Sequence, residues 1–528
     1  MCRLMTALLF VVFFFALYAE EPMLWDVVVD RGDPELKDAF GALDVWSVYR
    51  GDDGVWHYRV AAREGELSQL RLFSVRVLPV MPIPRVVPPP ASEYRDADMV
   101  NAALTALEEQ YPDRAKLYTI GQTFEGRDII AIKISADPAQ NVVGKTEILF
   151  TGTHHAREWI GTEITLRMAD FLLEQYTYND RIKEIVDACE IWIVPMLNQD
   201  GFRYTWTDER LWRKTRRLNS DNTYGVDPNR NYDAGWGGKG SSKTPSSDVY
   251  CGTAPFSEPE TAAIRNLVGG GDVTPMNGWI DDIAGFIDFH SYSQLVLYPY
   301  GHTYTVSPRE KEMSAIATRM SEMMEAETGI YYEPQKSSEL YIATGGSSDW
   351  FHLAHDFKNA LTMEVRPNGD TPNGFVLATE QIKGTARENA VAAIYFIEAT
   401  MQATDAVDTD VNGNGVVDYL EGCGTTLCEM LYDERGDDPL PDDDIPVTDD
   451  GSVVSDETVS PDGGENDIKS DKELSDVETV TDADGTFTTD ADEAVVTADT
   501  DPGTPITDID TTSSRRAVSS GGCSVILF

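Results

Sequence analysis

Basic residues are scarce in this chain. Its 528 residues hold 42 Lys and Arg against 90 Asp and Glu, a formal charge of −48. A surface that acidic repels nucleic acid and anionic lipid, so neither is expected as a main partner. Much of the excess lies towards the C-terminus and describes a tail more than a fold. Cysteine is also sparse, with six residues, too few to make a disulfide framework the basis of the core. Cys189 lies in an apolar, strand-like run and reads as a buried thiol, while Cys251 has no obvious partner. Long apolar runs are absent after the N-terminus, so no stable membrane span is expected. No repeat of solenoid period is visible. Histidine occurs seven times, which narrows any search for histidine chemistry.

What is present falls into segments. Residues 1–19 read as a secretory signal: Arg3, a run from Leu4 to Leu17, then Ala19 as a small cleavage residue. That run, roughly 14 residues, is short against the ~20 that a membrane helix needs. The chain is therefore expected outside the cell. Residues 20–78 read as a small α+β unit, with strands in "LWDVVVD", "VWSVYRG", "VWHYRVAA" and "RLFSVRVL" and a helix in "PELKDAFGAL". Residues 79–92, "PVMPIPRVVPPPAS" within a proline-rich stretch, form an extended linker. Arg85 is its one basic residue and offers a cut site to a trypsin-like activating protease. A small domain followed by a cleavable linker reads as a propeptide.

Residues 93–404 alternate strands and helices, which predicts an α/β fold with a mixed, largely parallel central sheet flanked by helices. "DIIAIKIS", "TEILFTGT", "EIWIVPMLN", "GFIDFHSY" and "NALTMEVR" read as strands. "MVNAALTALEEQYP", "TEITLRMADFLLEQY" and "RENAVAAIYFIEAT" read as helices. Residues 405–430 contain "DVNGNGVVDYLE", which fits a calcium loop: Asp410, Asn412 and Asn414 give side-chain oxygens, Val416 a carbonyl and Glu421 a carboxylate. Cys423 and Cys428 are spaced to close a small loop beside it in an oxidising compartment. Residues 431–528 are Asp, Glu, Thr, Ser and Gly with few large apolar side chains, a composition expected to stay disordered. The end, "GGCSVILF", resembles the start of bacterial sorting tails, so surface anchoring through the tail stands beside a merely solubilising role.

"GTHHAREWIG", Gly152 to Gly161, concentrates two histidines, an arginine and a glutamate. Either His154 or His155 can be paired with Glu158. His155 and Glu158 are three positions apart across a turn, so an imidazole nitrogen and a carboxylate can reach one cation. Zinc takes such ligands, and a catalytic site keeps one position open. A third ligand must come from elsewhere, and His290, at the end of the apolar strand "GFIDFH", is the natural one. Strand ends of this kind face the crevice of an α/β sheet.

With these residues in place, the chain resembles the zinc metallocarboxypeptidases of the carboxypeptidase A and B type. "HAREW", "RLWRKTR", "VDPNRNYDAGWG", "DFHSYSQ", "YIATGGSSDW" and "TMEVR" match in order and approximate spacing, over roughly Glu93 to Thr400. The resemblance selects His155, Glu158 and His290 as the ligands of one zinc ion and leaves His154 as a neighbour. It implies a C-terminal peptide hydrolase with Glu364 as general base, the role the reaction itself requires. Arg213 fits stabilisation of the developing oxyanion. Arg157, between two ligands, and Tyr292, beside the third, are expected at the substrate. For the free carboxylate of a peptide the resemblance implies Asn229, Arg230 and Tyr341. It also places Ser348 at the floor of the specificity pocket, with Gly301, Leu340, Ala343 and Thr362 as its small, mostly apolar wall. Lys336 and Glu339 would enter that pocket if the register differs. A neutral floor predicts hydrophobic or aromatic C-terminal residues, since a buried unpaired ammonium is costly. Two other readings compete. One is a carboxypeptidase or amidase acting on cell-wall peptides. The other is a zinc-containing binding protein without catalysis.

Overall fold

The computed structural model describes residues 22–29, 34–51, 54–83, 93–269, 280 and 283–405. All fall in one compact unit, Met1–Asp442, and none in a second, Asp443–Phe528. The expected signal, residues 84–92 of the expected linker, the acidic tail, and the calcium loop with Asp410, Asn412, Asn414, Val416 and Glu421 lie outside the described residues.

Two sheets carry the fold. The smaller has strands β1 (Met23–Val29), β2 (Asp44–Arg50), β3 (Trp56–Ala62) and β4 (Val75–Pro82) in the order β2-β3-β1-β4. Every pairing in it is antiparallel. Helix α1 (Pro34–Gly41) buries Leu36 and Phe40, four apart and so on one face. The Phe40 ring stacks on Tyr58 with centroids 4.0 Å apart. Here the structure corrects two sequence expectations. "RLFSVRVL" is not one strand: Leu70–Leu72 is a 3₁₀ turn, and β4 begins at Val75. The strand also continues past Leu78 through Pro79 to Pro82. Proline cannot donate to a ladder, but β4 is an edge strand, and its register against β1 shifts between Leu24 and Trp25.

The larger sheet has eight strands in the order β11-β10-β12-β9-β7-β8-β6-β5. They are β5 (Ala115–Gln122), β6 (Asp128–Ile134), β7 (Thr146–Gly152), β8 (Cys189–Val194), β9 (Ile283–Ser293), β10 (Leu295–Tyr298), β11 (Glu333–Lys336) and β12 (Asn359–Asn368). The central four, β8, β7, β9 and β12, run parallel, in line with the mixed, largely parallel sheet read from the sequence. Helices cover both faces, which is why these strands read as unbroken apolar runs. Alternate residues divide between two cores. Ile148, Phe150, Ile191, Ile193, Ile287 and Phe289 join one, with α2 (Ala97–Gln110), α3 (Trp159–Gln175), α4 (Asp180–Ala188), α7 (Glu310–Thr328) and α10 (Gln381–Asp405). Leu149, Trp192, Val194 and Phe286 join the other, with α6 (Pro259–Val268) and α9 (Ser347–Ala354). Two shorter elements complete the set, α5 (Gln199–Thr207) and α8 (Ser337–Leu340). No helix among the described residues is long and apolar enough to cross a membrane.

The smaller sheet docks on the C-terminal ends of the central strands. Phe40 and Tyr58 share an apolar cluster with Leu295, Leu297 and Leu340. The Tyr58 hydroxyl donates to the Leu340 carbonyl at 2.9 Å. Ser47 Oγ donates to Gly369 O at 2.7 Å, and Val48 N donates to Ser293 Oγ at 3.2 Å.

Candidate active site

The strand ends bring the predicted ligands together. β7 stops at Gly152, and a tight turn leads into α3 at Trp159. In that turn Glu158 N donates to His155 O at 3.2 Å, which folds the two side chains towards one point. The flanking glycines are required by close approach: a Cβ on Gly152 would sit 2.8 Å from Gly161 O, and one on Gly161 would sit 2.9 Å from Phe289 O. β9 lies beside β7 and delivers His290, and β12 pairs with β9 so that Glu364 stands opposite His290.

Three ligand side chains converge. His155 Nδ1 lies 2.8 Å from Glu158 Oε1, and His290 Nδ1 lies 2.9 Å from Glu158 Oε2. The two Nδ1 atoms are 3.1 Å apart. Behind them, His155 Nε2 is 3.1 Å from Asp227 Oδ1 and His290 Nε2 is 2.9 Å from Asp288 Oδ2. A ring that gives its Nε2 proton to a carboxylate presents a bare Nδ1, the form a metal binds. This buried donor set of two imidazoles and one carboxylate suits zinc. A second group, His154 with Asp288 and His290, is also close enough to hold an ion. Its atoms are committed elsewhere: Asp288 accepts from Thr151 Oγ1 at 2.8 Å and Ser347 Oγ at 2.6 Å. His154 Nδ1 lies 2.8 Å from Asp288 Oδ1, off the line of a good hydrogen bond, and its Nε2 is 2.8 Å from the Tyr232 hydroxyl.

Charge is tightly arranged. Burial favours protonation of Glu158, but His155 and His290 hold its carboxyl well below the usual range. Burial pushes Glu364 up to about 8, with His290 opposing and Glu158 adding to the rise. Arg213 is buried, yet Asp227, Asp44 and Glu158 keep its guanidinium charged. It donates from Nε and Nη2 to Asp227 Oδ2 at 3.2 and 2.9 Å. Asp227 thus orients both His155 and Arg213.

One crevice is lined by His155, Glu158, Arg213, Arg230, Tyr292, Tyr341 and Glu364, with Leu295, Leu297 and Leu340 as apolar wall. The structure therefore brings together most of the side chains predicted at the site. Asn229 is turned aside: its amide lies 3.2 Å from His290 Nε2 and accepts from Ser347 N at 2.9 Å. Ser348 is bonded back to Leu361 O at 3.1 Å and to Thr362 Oγ1 at 2.7 Å. Lys336 reaches Glu310 at 3.4 Å, and Glu339 lines a separate cavity, so neither borders this crevice. Arg157 does not point to an open substrate position. Asp44, from β2, takes its Nη1 and Nη2 at 3.0 and 2.7 Å, and its guanidinium lies 4.1 Å from the Phe375 ring centroid.

Three carboxylates were missed in the sequence: Asp44, Asp227 and Asp288. Asp288 carried a signal, since it lies two before His290 on the same strand and must share its face. Asp227 stands in the quoted "VDPNRN" and caps the 3₁₀ turn Pro228–Arg230 through Asn229 N. Asp44 carried none.

The sequence profile described as "Zinc carboxypeptidase" matches residues 100–392. A zinc carboxypeptidase A 1 of Anopheles gambiae is 33% identical over 308 residues, covering 58% of this chain and 68% of that protein. A carboxypeptidase B of Astacus astacus is 35% identical over 301 residues, 56% of this chain and 93% of its own. Bovine thrombin-activatable fibrinolysis inhibitor, solved with a tick carboxypeptidase inhibitor, superposes with a TM-score of 0.53 at 31% identity. That match covers 59% of this chain and 98% of the solved one. The converging strand ends, the zinc-suited donor set and these matches agree: the chain belongs to the zinc carboxypeptidase family.

Proposed function

We propose that the chain is the zymogen of a secreted zinc carboxypeptidase that hydrolyses the last peptide bond of chains with a free C-terminus, preferring apolar or aromatic last residues. The observation that carries this reading is the shared crevice: Glu364 and the ligands His155 and Glu158, with His290 bonded behind them, meet Arg230 and Tyr341 there. His155, Glu158 and His290 would hold zinc, which polarises the scissile carbonyl and acidifies a water. Glu364 takes the proton of the attacking water and returns it to the leaving amine. Arg213 faces the carbonyl oxygen as negative charge develops, with its geometry already set by Asp227. The Arg230 guanidinium, fixed by Gly240 O at 2.8 Å and Asn229 O at 2.8 Å, supplies a planar partner for the terminal carboxylate. Asn229 would have to leave its present partners to join it.

The preference is argued from what cannot pair a basic side chain. Asp349 is the carboxylate beside Ser348, and its oxygens accept Gly301 N at 2.9 Å, His302 N at 2.7 Å and the His302 ring at 2.6 Å. An incoming lysine would break that set. Secretion is supported by the signal-like N-terminus alone. Calcium in the Asp410–Glu421 loop rests on spacing alone.

The zymogen reading is supported by Val45 and Trp46, which line the crevice, and by Asp44, which holds the guanidinium of Arg157. Arg157 and Asp44 are 2% and 7% exposed, so no peptide reaches this arginine while the pair holds. The test is limited trypsin cleavage, then peptides ending in Phe, Leu, Lys or Glu, free or amidated. Loss of one residue from the free Phe and Leu peptides, with the amidated peptides intact, is expected. Trimming of amidated peptides would refute the exopeptidase reading, and faster trimming of Lys would refute the preference.

A further inference from the structure

A second cavity opens where the small sheet meets the catalytic unit, apart from the crevice. Its volume is about 130 Å³, comparable to the roughly 150 Å³ that accommodates a benzene ring. Phe40, Trp56 and Tyr58 supply aromatic walls from the N-terminal side. Gln335 enters from β11; it is 8% exposed, and its Oε1 is buried without a hydrogen-bond partner. An acceptor left in that state carries an uncompensated desolvation penalty, so a donor placed there gains. Lys37, on α1, and Glu339, on α8, complete the lining with opposite charges. They influence each other electrostatically, but no ion pair within 4.0 Å joins them. Burial lowers Lys37, with Glu339 opposing and Lys336 adding to the fall. A partly desolvated ammonium gains most from an anion it can touch.

We propose that this cavity binds a free α-amino acid with an aromatic or large apolar side chain, and that the bound molecule holds the N-terminal sheet against the enzyme. The pattern of groups selects the class. An apolar wall of Val29, Leu36, Trp56 and the stacked Phe40–Tyr58 pair takes the side chain. Lys37 meets the α-carboxylate. Glu339 and Gln335 Oε1 meet the α-ammonium, which has three protons to give. A fatty acid would satisfy Lys37 alone, and an amine would satisfy Glu339 and Gln335 but leave Lys37 facing an apolar group. Lys37 comes from the N-terminal unit and Gln335 and Glu339 from the catalytic one, so the ligand bridges the two. A ligand that binds only the docked state slows separation in proportion to 1 + [L]/Kd. Apolar amino acids are also the products expected of the mature enzyme. Their accumulation would delay further activation. This regulatory part rests on the zymogen reading; the site itself does not.

The test uses the intact, zinc-loaded full chain and L-phenylalanine, followed by calorimetry. N-acetyl-L-phenylalanine lacks the ammonium, and phenethylamine lacks the carboxylate. Expected are one saturable site per chain and at least tenfold weaker binding of each analogue. Lys37→Met and Gln335→Leu are each expected to weaken L-phenylalanine at least tenfold and to leave activity after complete trypsin cleavage unchanged. After trypsin, L-phenylalanine is expected to delay the appearance of activity, assayed following dilution, in the wild type and not in either variant. No saturable binding into the tens of millimolar, or binding unaffected by both variants, overturns the site. Binding without delay overturns the bridging role. An intact chain already active before trypsin overturns the zymogen reading instead, and is seen in the activity assay alone.

Discussion

The catalytic centre and the face that covers it are both buried, yet they are finished to different standards. Around the ligands, Asp227 and Asp288 each accept from several groups, although His154 Nδ1 and Ser291 Oγ beside them have no hydrogen-bond partner. The two aspartates fix His155, His290 and Arg213. Under the small sheet, one buried charge pair is made well, Arg157 with Asp44, a more exposed one joins Lys239 to Asp38 at 2.5 Å, and other groups are left over. Arg59 of β3 is 7% exposed, with Nε and Nη1 unpartnered and Nη2 3.4 Å from the Tyr49 hydroxyl. Gln335 Oε1 is also orphaned, and a cavity remains between the units. A site that must align reacting atoms needs a satisfied network. On the proposed zymogen reading, a cover that must later leave gains from interactions that hold it without making it permanent.

The largest effect should come from the centre. Glu364→Gln in the trypsin-cut enzyme is expected to lower kcat by about 10²–10⁴-fold with zinc content unchanged, read by peptide assay and metal analysis together. Loss of zinc would instead make Glu364 part of the metal site. Next is the support beneath it: Asp227→Asn should weaken zinc binding by roughly 10–100-fold, measured by competition with a chelator. Normal affinity would show that the Asp227 contact to His155 is incidental.

Glu260 sharpens the comparison from within the catalytic unit, where it is one of several buried groups with an unpartnered atom. It is fully buried, accepts from Phe124 N at 3.1 Å through Oε1, and has no partner at Oε2. Burial, with the charge of Glu258 adding, pushes its carboxyl up to about 8. In the unfolded chain the group loses its proton near 4.5. Between those values the folded state binds more protons, so stability falls as pH rises, by on the order of a few kcal/mol from this group. Glu260→Gln should flatten that slope in urea titrations at several pH values; an unchanged slope would place the proton elsewhere. The smallest effect is expected from Arg59→Met, which removes a buried cation with unpaired nitrogens. It should slow release of the cut N-terminal unit about two- to tenfold, equivalent to 1.4 kcal/mol or less. Faster release would mean Arg59 holds the cover on.

The sequence shows the centre more readily than the cover, for a physical reason. His155 and Glu158 follow the end of β7, and His290 and Glu364 lie in the C-terminal halves of β9 and β12, where an α/β sheet opens to its crevice. Alternation along β9 carried enough information to find Asp288 as well. Arg157 was expected at the substrate from its place between two ligands, but its partner lies 113 residues away on another sheet. No local pattern encodes that pair. The same holds for Asn229 and Ser348, whose side chains turn to backbone groups brought close only by the fold. The Met-rich helix α7 and strands β10 and β11 were also unread; α7 buries Met313, Met320, Met323 and Met324 without a strong one-sided pattern.

The most direct measurement is the rate at which the uncut, zinc-loaded chain trims a peptide ending in free phenylalanine, compared with the cut chain and with uncut Asp44→Ala. Breaking one partner of a buried ion pair typically costs about 3–5 kcal/mol. A complete centre held shut by Asp44 and Arg157 requires a silent uncut wild type, an active cut enzyme, and an uncut Asp44→Ala with clear activity that trypsin raises further. An uncut wild type as fast as the cut enzyme, or an uncut Asp44→Ala as silent as the wild type, would contradict it.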